Sequence, residues 1–258
     1  MTTKQALVRR PGQRLAEGLV THLQRTAVDV ELATTQWKGY VDALEAHGWS
    51  CIEVPAADDC PDAVFIEDTM VAFRDMAILT RPGADSRKPE VTAVDTVVRA
   101  LGYSPFHIEA PGTLDGGDVL KVGTTFYVGR GGRTNAEGIR QMRAIVGPLG
   151  VNVVAVPIHL VLHLKSAVTA LPDGTIVGYE PLVDDTAMFP RFRSVPEESG
   201  AHVVLLGEGR LLMAADCPRT AELYGDLGFE PVVVDISEFQ KLEGCVTCLS
   251  VRLRGLPG

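Results

Sequence analysis

The segment Val246-Thr247-Cys248-Leu249-Ser250-Val251-Arg252-Leu253 is the last apolar run of the chain, and its pairing decides the predicted fold. Its apolar and β-branched residues predict a strand, yet no partner strand follows it. The segment Gln5–Arg9, near the other end of the chain, is also strand-like, and no predicted strand precedes it as a partner. We therefore expect the two terminal strands to complete a unit that the intervening chain repeats.

The intervening chain shows a strand-turn-strand-helix-strand pattern about every 40–50 residues, which is typical of radial or stacked architectures. Hairpins within the units argue against an all-parallel doubly wound sheet, and the helices exclude an all-β propeller. A ring of mixed α/β blades fits better, and we expect residues 1–258 to form one domain with 180–200 as a surface excursion. The predicted strand pairs lie at 64–72 and 76–80, 118–122 and 125–128, 165–171 and 175–178, and 202–206 and 210–214. The predicted helices lie at about 30–47, 88–101 and 218–227, and from Asn135 onward.

Composition restricts the possible functions. The 258 residues carry a formal net charge of -9, which argues against electrostatic nucleic-acid binding but leaves a cationic small molecule as a partner. Residues 144–164 have no charged side chain, but Pro148 and Pro157 interrupt them, so we predict no membrane helix. The five cysteines are odd in number and no apolar signal region opens the chain, which predicts a reduced, cytoplasmic protein.

The pair Cys245 and Cys248 admits several interpretations. A redox pair of the thioredoxin kind precedes a helix, whereas this pair leads into a predicted strand. A zinc clip needs a second pair of ligands at suitable spacing, and none is present, so we expect no metal. Two interpretations remain: one of the two cysteines is a nucleophile, or both are buried, unreactive thiols. On a strand the two side chains would face opposite sides.

A nucleophilic cysteine needs a base, and His163 is the best candidate. His159 lies four residues earlier, but Leu160 occupies the place where HExxH zinc chemistry requires a glutamate. Taken alone, either histidine is more often a packing or surface residue than a catalyst.

Two acidic clusters interrupt apolar runs, and a buried carboxylate requires a cation. Glu67 and Asp68 would point to opposite faces of a strand, and an ion pair with an arginine is the structural alternative. Asp115 is followed by Gly116-Gly117, which indicates close backbone approach rather than a phosphate loop. Acids, arginines and a Cys/His pair together suit a cationic substrate that also carries a carboxylate, such as a guanidino amino acid.

The ordered motifs of the chain resemble those of the dimethylarginine dimethylaminohydrolase family over essentially its whole length. Cys245 and residues 180–200 lie outside the pattern, so Cys245 is expected to be a bystander. The matching motifs are Leu15-Ala16-Glu17-Gly18-Leu19, Pro61-Asp62-Ala63-Val64-Phe65-Ile66-Glu67-Asp68, Thr80-Arg81-Pro82-Gly83-Ala84 with Ser86-Arg87, Leu114-Asp115-Gly116-Gly117-Asp118-Val119, Gly132-Arg133-Thr134-Asn135, Leu162-His163-Leu164-Lys165-Ser166 and Thr247-Cys248-Leu249-Ser250.

The resemblance implies a five-bladed α/β propeller with pseudo-fivefold ββαβ-type repeats around a central substrate site, the fold of the guanidine-modifying enzymes. It implies hydrolysis of asymmetric dimethylarginine or monomethylarginine to L-citrulline and dimethylamine or methylamine, through a covalent thiouronium on cysteine. No cofactor is expected, and we expect a monomer or a homodimer. The alternatives are an arginine deiminase or another guanidine hydrolase, and a non-enzymatic, metal- or redox-responsive Cys-x-x-Cys protein. Arginine deiminases usually carry an inserted helical module for which this chain has no room.

By motif, the resemblance makes Cys248 the nucleophile, His163 the general acid and base, and Asp115 the residue that orients His163. The two adjacent acids of the first cluster would hold the guanidinium, while an aspartate and two arginines would bind the amino-acid end. A leucine of the lid loop and a backbone carbonyl before the cysteine pair would complete the site. These implied substrate-binding residues are Leu15, Asp62, Glu67, Asp68, Arg87, Arg133 and Leu242.

Overall fold

The computed structural model describes residues 4–254, and the strands in this part of the chain form five three-stranded sheets. Each sheet pairs its first two strands antiparallel and adds its third strand parallel to the second. In chain order the strands are β1 (Lys4–Val8), β2 (Ser50–Glu53), β3 (Met70–Phe73), β4 (Met76–Leu79), β5 (Ser104–His107), β6 (Val119–Val122), β7 (Thr125–Arg130), β8 (Asn152–Pro157), β9 (Val168–Ala170), β10 (Ile176–Gly178), β11 (Phe192–Ser194), β12 (Val204–Gly207), β13 (Arg210–Ala214), β14 (Glu230–Val234) and β15 (Val251–Arg254).

Helices connect the second and third strands in four of the five sheets. Asp29 caps the first helix by accepting hydrogen bonds from two backbone N–H groups, and Asn135 caps the third by accepting one from Gly138 N–H. Both caps sit where the apolar periodicity begins, so the predicted helix starts are confirmed. The helices are α1 (Val30–Ala46), α2 (Glu90–Ala100), α3 (Ala136–Val146), α4 (Pro218–Asp226) and the short α5 (Ser237–Gln240), which follows β14.

The two ends of the described chain close the fifth sheet. β15 pairs antiparallel with β1, so that Lys4 lies opposite Arg254 and Leu7 opposite Val251. β1 in turn pairs parallel with β2 across α1. The predicted closure of the ring by the terminal strands is confirmed.

The five sheets stand around a common centre. Residues of the first strand of every sheet, or directly beside it, line one cavity of about 430 Å³, which we call the central cavity. The third strands and the helices lie outside this ring of first strands. The architecture is therefore a five-bladed α/β propeller, as expected.

Three predicted segments differ from the structure. Residues 180–200 are more than a surface excursion, because two short 3-10 helices there replace the blade helix and β11 supplies the third strand of its sheet. The terminal strand begins at Val251 rather than Val246, and residues 66–69 form a 3-10 helix rather than part of a strand. In both places backbone hydrogen bonds form a turn, such as the bond from Cys248 N–H to Cys245 O (3.0 Å).

No helix among residues 4–254 is long and apolar enough to cross a bilayer.

Candidate active site

Short turns that precede the first strands carry the candidate catalytic residues. The 3-10 helix Ile66–Thr69 precedes β3, Gly116–Asp118 precedes β6 and Leu164–Ser166 precedes β9. A turn ending at Leu249 precedes β15 in the same way. Because the first strands surround one centre, these turns converge at one end of it, and residues far apart in sequence meet there.

His163 is buried between carboxylates. Its Nε2 donates to Asp115 Oδ2 at 2.9 Å, and its Nδ1 lies 3.8 Å from Asp68 Oδ1. Burial is the largest influence and would alone lower the pKa of His163, but Asp68, Asp115 and Asp118 together raise it to about 9. The ring is therefore an imidazolium near neutral pH, and Asp115 fixes its orientation.

Gly117 makes room for this arrangement. A Cβ at this position would lie 2.6 Å from Asp68 Oδ1 and 2.8 Å from His163 Nδ1. The Gly117 N–H also donates to Asp68 Oδ1 at 2.8 Å. The close approach predicted at Gly116-Gly117 is therefore observed, and it brings the backbone to the catalytic ring.

Asp118 links the segments that carry Asp115 and His163. The Thr134 hydroxyl accepts a hydrogen bond from Asp115 N–H and donates to Asp118 Oδ2 at 2.5 Å. Asp118 Oδ1 accepts from Leu164 N–H at 2.9 Å, and burial raises the pKa of Asp118 to about 6. The motif that contains Asp118 was identified in the sequence, but no role was assigned to this residue. The sequence signal that could have identified Asp118 is its position as a second acid in an otherwise apolar run.

Asp68 is held by a buried network with Arg87. Arg87 Nη1 donates to Asp68 Oδ2 at 2.6 Å, while Nε and Nη2 donate to Glu90. Burial opposes ionisation of Asp68, but the charges of His163 and Arg87 hold its pKa below its usual range. Arg87 also donates to the backbone oxygens of Asp62 and Phe65, so much of its hydrogen-bonding capacity is used within the protein.

Arg133, unlike Arg87, has a guanidinium nitrogen that makes no hydrogen bond to a described residue. Its Nη1 is buried, has no hydrogen-bond partner among the described residues and lies 3.6 Å from Asp115 Oδ2. An unpartnered, buried guanidinium nitrogen at the edge of a cleft suits an incoming carboxylate.

Cys248 lies in the turn before β15, and its neighbour is Cys245. The two Sγ atoms are 3.3 Å apart, so the prediction that they face opposite sides is wrong. The prediction assumed strand geometry, whereas a turn places residues i and i+3 together. The hydrogen bond between the sulfurs, followed by burial and the charges of Glu67 and Asp68, raises the pKa of Cys248.

The catalytic cleft is a cavity of about 20 Å³, enough for about one water molecule, between these groups. Asp115 lies behind His163 and is fully buried, and the lining joins acids, arginines and apolar side chains from separate blades. Leu15 and Glu67 are absent from the lining. The lining residues are Leu19, Asp62, Phe65, Asp68, Arg87, Arg133, Leu162, His163, Leu242, Glu243, Gly244 and Cys248.

Glu67 faces the central cavity instead. Its Oε1 pairs with Lys165 Nζ at 2.6 Å and with Arg252 Nη2 at 2.9 Å. Leu15 is fully buried in the core, and Leu19 of the same loop reaches the cleft. Glu67 and Asp68 point in different directions, as expected for adjacent residues, although they lie on a 3-10 helix and not on the predicted strand.

A loop at residues 18–25, which we call the covering loop, borders the cleft through Leu19. The Leu19 N–H donates to both oxygens of Asp62, at 3.0 and 3.2 Å. The Glu243 carboxylate accepts from the backbone N–H groups of Thr21, His22 and Leu23, and Glu243 has a left-handed φ of 61°. Sequence reasoning missed Glu243, because the pairing depends on residues more than two hundred positions apart.

Asp68, Asp115 and His163 also form a group whose potential metal-binding atoms lie within 4.8 Å of one another. A protonated imidazole cannot ligate a metal, and Arg87 already supplies a cation to Asp68. The donor set therefore fits a buried imidazolium between carboxylates better than a metal site.

A five-bladed α/β propeller with a cysteine, a histidine and acids at one cleft matches the expected class, the guanidine-modifying enzymes. Comparison with known proteins identifies the family. No protein-family model matches the chain. The chain is 66% identical over 256 residues to the N(G),N(G)-dimethylarginine dimethylaminohydrolase of Streptomyces coelicolor, covering 99% of each chain. The Pseudomonas aeruginosa enzyme, solved as a cysteine-to-serine mutant with citrulline, superposes with a TM-score of 0.90 at 34% identity over 98% of this chain and 100% of that one.

A second solved structure is a dimethylarginine dimethylaminohydrolase histidine-to-glycine variant carrying an adduct of S-methyl-L-thiocitrulline. It superposes with a TM-score of 0.91 at 33% identity, over 98% of this chain and 100% of that one. This chain belongs to the dimethylarginine dimethylaminohydrolase family.

Proposed function

We propose that this chain hydrolyses Nω-methylated L-arginine to L-citrulline and dimethylamine or methylamine, with Cys248 as nucleophile, His163 as acid and base and Asp115 as its orienting partner. The observation that carries the proposal is the convergence of a thiol, an imidazolium and an ionised Asp68 on one small cleft. The family relationship agrees, because its solved relatives hold citrulline or a thiocitrulline adduct.

The charges of the cleft support a pose for the substrate. Asp68 is the ionised acid that lines the cleft beside Cys248, so it receives the guanidinium, whereas Glu67 faces the central cavity. Arg133 receives the α-carboxylate with its guanidinium, whose Nη1 has no hydrogen-bond partner among the described residues. Asp62 and the Leu242 carbonyl remain for the α-amino group, and Arg87 acts by holding Asp68.

The substrate adds a positive charge next to Cys248. In the free protein the pKa of Cys248 is raised, so little thiolate is present near neutral pH. A guanidinium bound between Asp68 and Cys248 places a cation beside the sulfur and lowers its pKa. Thiolate formation is therefore promoted when the substrate is in place.

The geometry then supports two half-reactions. The Cys248 thiolate adds to the guanidinium carbon, and His163 protonates the departing amine, which leaves a thiouronium on sulfur. His163, now neutral, takes a proton from water, which adds to the same carbon and expels the thiolate with formation of citrulline. Asp115 keeps the His163 ring in one orientation throughout.

Apolar walls support the preference for methylated substrates. Leu19, Phe65 and Leu162 line the cleft together with Asp68. Methyl groups fit against such walls, whereas a pocket of acceptors for every N–H would favour arginine. We expect a preference on the order of 10–200-fold for each methyl-sized difference.

The test compares kcat/KM for asymmetric dimethylarginine, monomethylarginine, arginine and agmatine, with citrulline and amine measured as products. Methylated arginines should be best and agmatine poor, and Cys248→Ser should abolish turnover. Arg133→Leu should lower kcat/KM for methylarginine and leave agmatine unchanged, because agmatine has no carboxylate. If arginine is best and ammonia is released, the chain is an arginine deiminase.

We further propose that residues 1–258 act as one catalytic domain in the cytoplasm, as a monomer or a homodimer, and without a cofactor. The ring closure between β1 and β15 supports a single unit, because no blade can be removed without opening the ring.

A further inference from the structure

We propose that Cys245 and Cys248 form a covalent modification site, a dithiol that hydroperoxides oxidise reversibly to a disulfide. Only its effect on turnover rests on the proposed function, because the oxidation itself needs nothing but the two thiols. The sequence pattern predicts the two side chains on opposite sides of a strand, whereas the structure places the two sulfurs side by side. This proximity carries the proposal.

The turn places the two sulfurs for bond formation. Cys248 N–H donates to Cys245 O at 3.0 Å, which closes a four-residue turn, and the Sγ atoms lie 3.3 Å apart. A turn of this kind keeps its end Cα atoms within about 7 Å, and disulfides span Cα separations of roughly 4.4–6.8 Å. The bond can therefore form without moving a blade.

The two cysteines line different cavities. Cys248 lines the catalytic cleft, whereas Cys245 lines a separate cavity of about 430 Å³ together with His202, Ser199 and Leu160. This second cavity is far larger than the cleft and is not bounded by His163 or Asp68. A small oxidant therefore reaches Cys245 by a route that does not pass through the substrate position.

The surroundings of Cys245 favour its thiolate. The hydrogen bond from Cys248, together with His202 and the Thr247 hydroxyl 3.3 Å away, lowers the pKa of Cys245 despite its burial. Cys217 is the contrast, because burial raises its pKa to about 12 and its Sγ donates to a backbone oxygen. Since the thiolate is the form that reacts with peroxides, Cys245 should be the thiol attacked first.

The reaction balances with hydrogen peroxide as the oxidant. The Cys245 thiolate attacks one peroxide oxygen, the O–O bond breaks, and a sulfenic acid and hydroxide form; the hydroxide takes up the proton lost by Cys245. The Cys248 sulfur then attacks the Cys245 sulfur, its proton leaves with the hydroxyl group as water, and the S–S bond forms. Two thiols and one peroxide give one disulfide and two waters.

The disulfide removes the nucleophile. Cys248 sulfur bonded to Cys245 cannot add to a guanidinium carbon, so turnover stops until a thiol reductant restores the pair. The modification thus couples hydrolysis to the thiol redox state of the surroundings.

The decisive experiment treats the whole protein with hydrogen peroxide, blocks free thiols and digests with trypsin. Both cysteines fall in the peptide 242–252, between Lys241 and Leu253. We expect this peptide to lose two hydrogens and to resist alkylation, and we expect dithiothreitol to restore both the thiols and full turnover. A peptide with both thiols free, while turnover is lost, would overturn the proposal.

Matched variants identify the thiol that reacts first. Cys245→Ser should retain turnover in the untreated enzyme and form no disulfide in the peptide 242–252 after peroxide treatment, because its remaining thiol has no partner in that peptide. Cys217→Ser should behave like the parent. Cys248→Ser should still form a sulfenic acid at Cys245 that dimedone captures, and its absence would contradict the assignment.

The two proposals fail in distinguishable ways. If the disulfide forms quantitatively but turnover persists, Cys248 is not the nucleophile and the proposed mechanism is wrong. If turnover depends on Cys248 but peroxide leaves the thiols free, the modification site is wrong and the hydrolase stands.

Discussion

Three buried carboxylates around one imidazolium set the chemistry of the cleft at the residue scale. Asp68, Asp115 and Asp118 lie on turns of two blades and act on His163 together. Arg87 keeps Asp68 ionised, and Thr134 connects Asp118 to the backbone of Asp115. Removing any one charge should therefore change the ionisation of His163 as well as local packing.

The pH dependence of kcat/KM, which reports the ionisation of the free enzyme, tests this balance. The pKa of His163 is raised from its ordinary value to about 9, so the acid form is present below that pH and lost as pH rises through it. We expect kcat/KM to fall above about pH 9. Asp118→Asn removes one negative charge, so the alkaline limb should move to lower pH.

Asp95→Asn is the control, because Asp95 pairs with Arg99 on the surface of α2. Its pH profile of kcat/KM should match that of the parent enzyme. An alkaline limb that stays in place in Asp118→Asn would show that His163 is not the group titrating there.

The turns before the first strands are the elements that build the site, and glycine allows two of them to meet. Gly117→Ala would place a methyl group against His163 and Asp68, and neither the buried ring nor the ion-paired carboxylate can move freely. We expect at least about a tenfold loss of kcat, in keeping with the sensitivity of catalysis to small displacements.

Gly39→Ala is the matched control, because Gly39 lies within α1 and a Cβ there meets nothing within 4 Å. It should leave kcat unchanged and stabilise the helix by about 0.5–1 kcal/mol. Thermal unfolding and steady-state kinetics on both variants separate an effect on the site from an effect on the fold.

The covering loop is the second element that matters for function. Glu243 holds three successive backbone N–H groups of this loop, and the cavity beneath is too small for an arginine-sized ligand. The loop must therefore open before substrate enters. Glu243→Gln weakens these bonds by removing the charge, so we expect faster proteolysis near residues 18–25 and a raised KM.

Glu208→Gln is a suitable control for the charge change, because Glu208 is exposed, also has a positive φ and pairs with Arg210 at a distant hairpin. Equal protease sensitivity in the two variants would contradict a specific role for Glu243.

At the scale of the whole molecule, β15 both closes the ring of sheets and carries Arg252, which contacts a turn of another blade. Val251 and Leu253 of β15 are buried, and Arg252 reaches Glu67 of another blade. Leu253→Ala should lower the free energy of unfolding by about 2–5 kcal/mol, as for other large-to-small changes in cores. Denaturant unfolding measures the loss, and a change well under 1 kcal/mol would show that closure contributes little.

Sequence patterns determined much of this protein without its structure. The hairpins, the helices that start near residue 30 and at Asn135, and the closure of the ring are local or periodic signals, and each was predicted. The residue types for guanidine chemistry were also evident, since buried acids, arginines and a Cys/His pair suggest it.

Only the tertiary structure decided where several side chains point. Glu67 and Cys248 lie in turns rather than strands, and the two turns are joined across the molecule, Glu67 N–H donating to Cys248 O at 3.1 Å. That contact joins residues about 180 positions apart, so no local pattern encodes it. Glu67 faces the central cavity, and the local turn at 245–248 brings the sulfur of Cys245 against that of Cys248, so the structure separates residues that the sequence alone had grouped together.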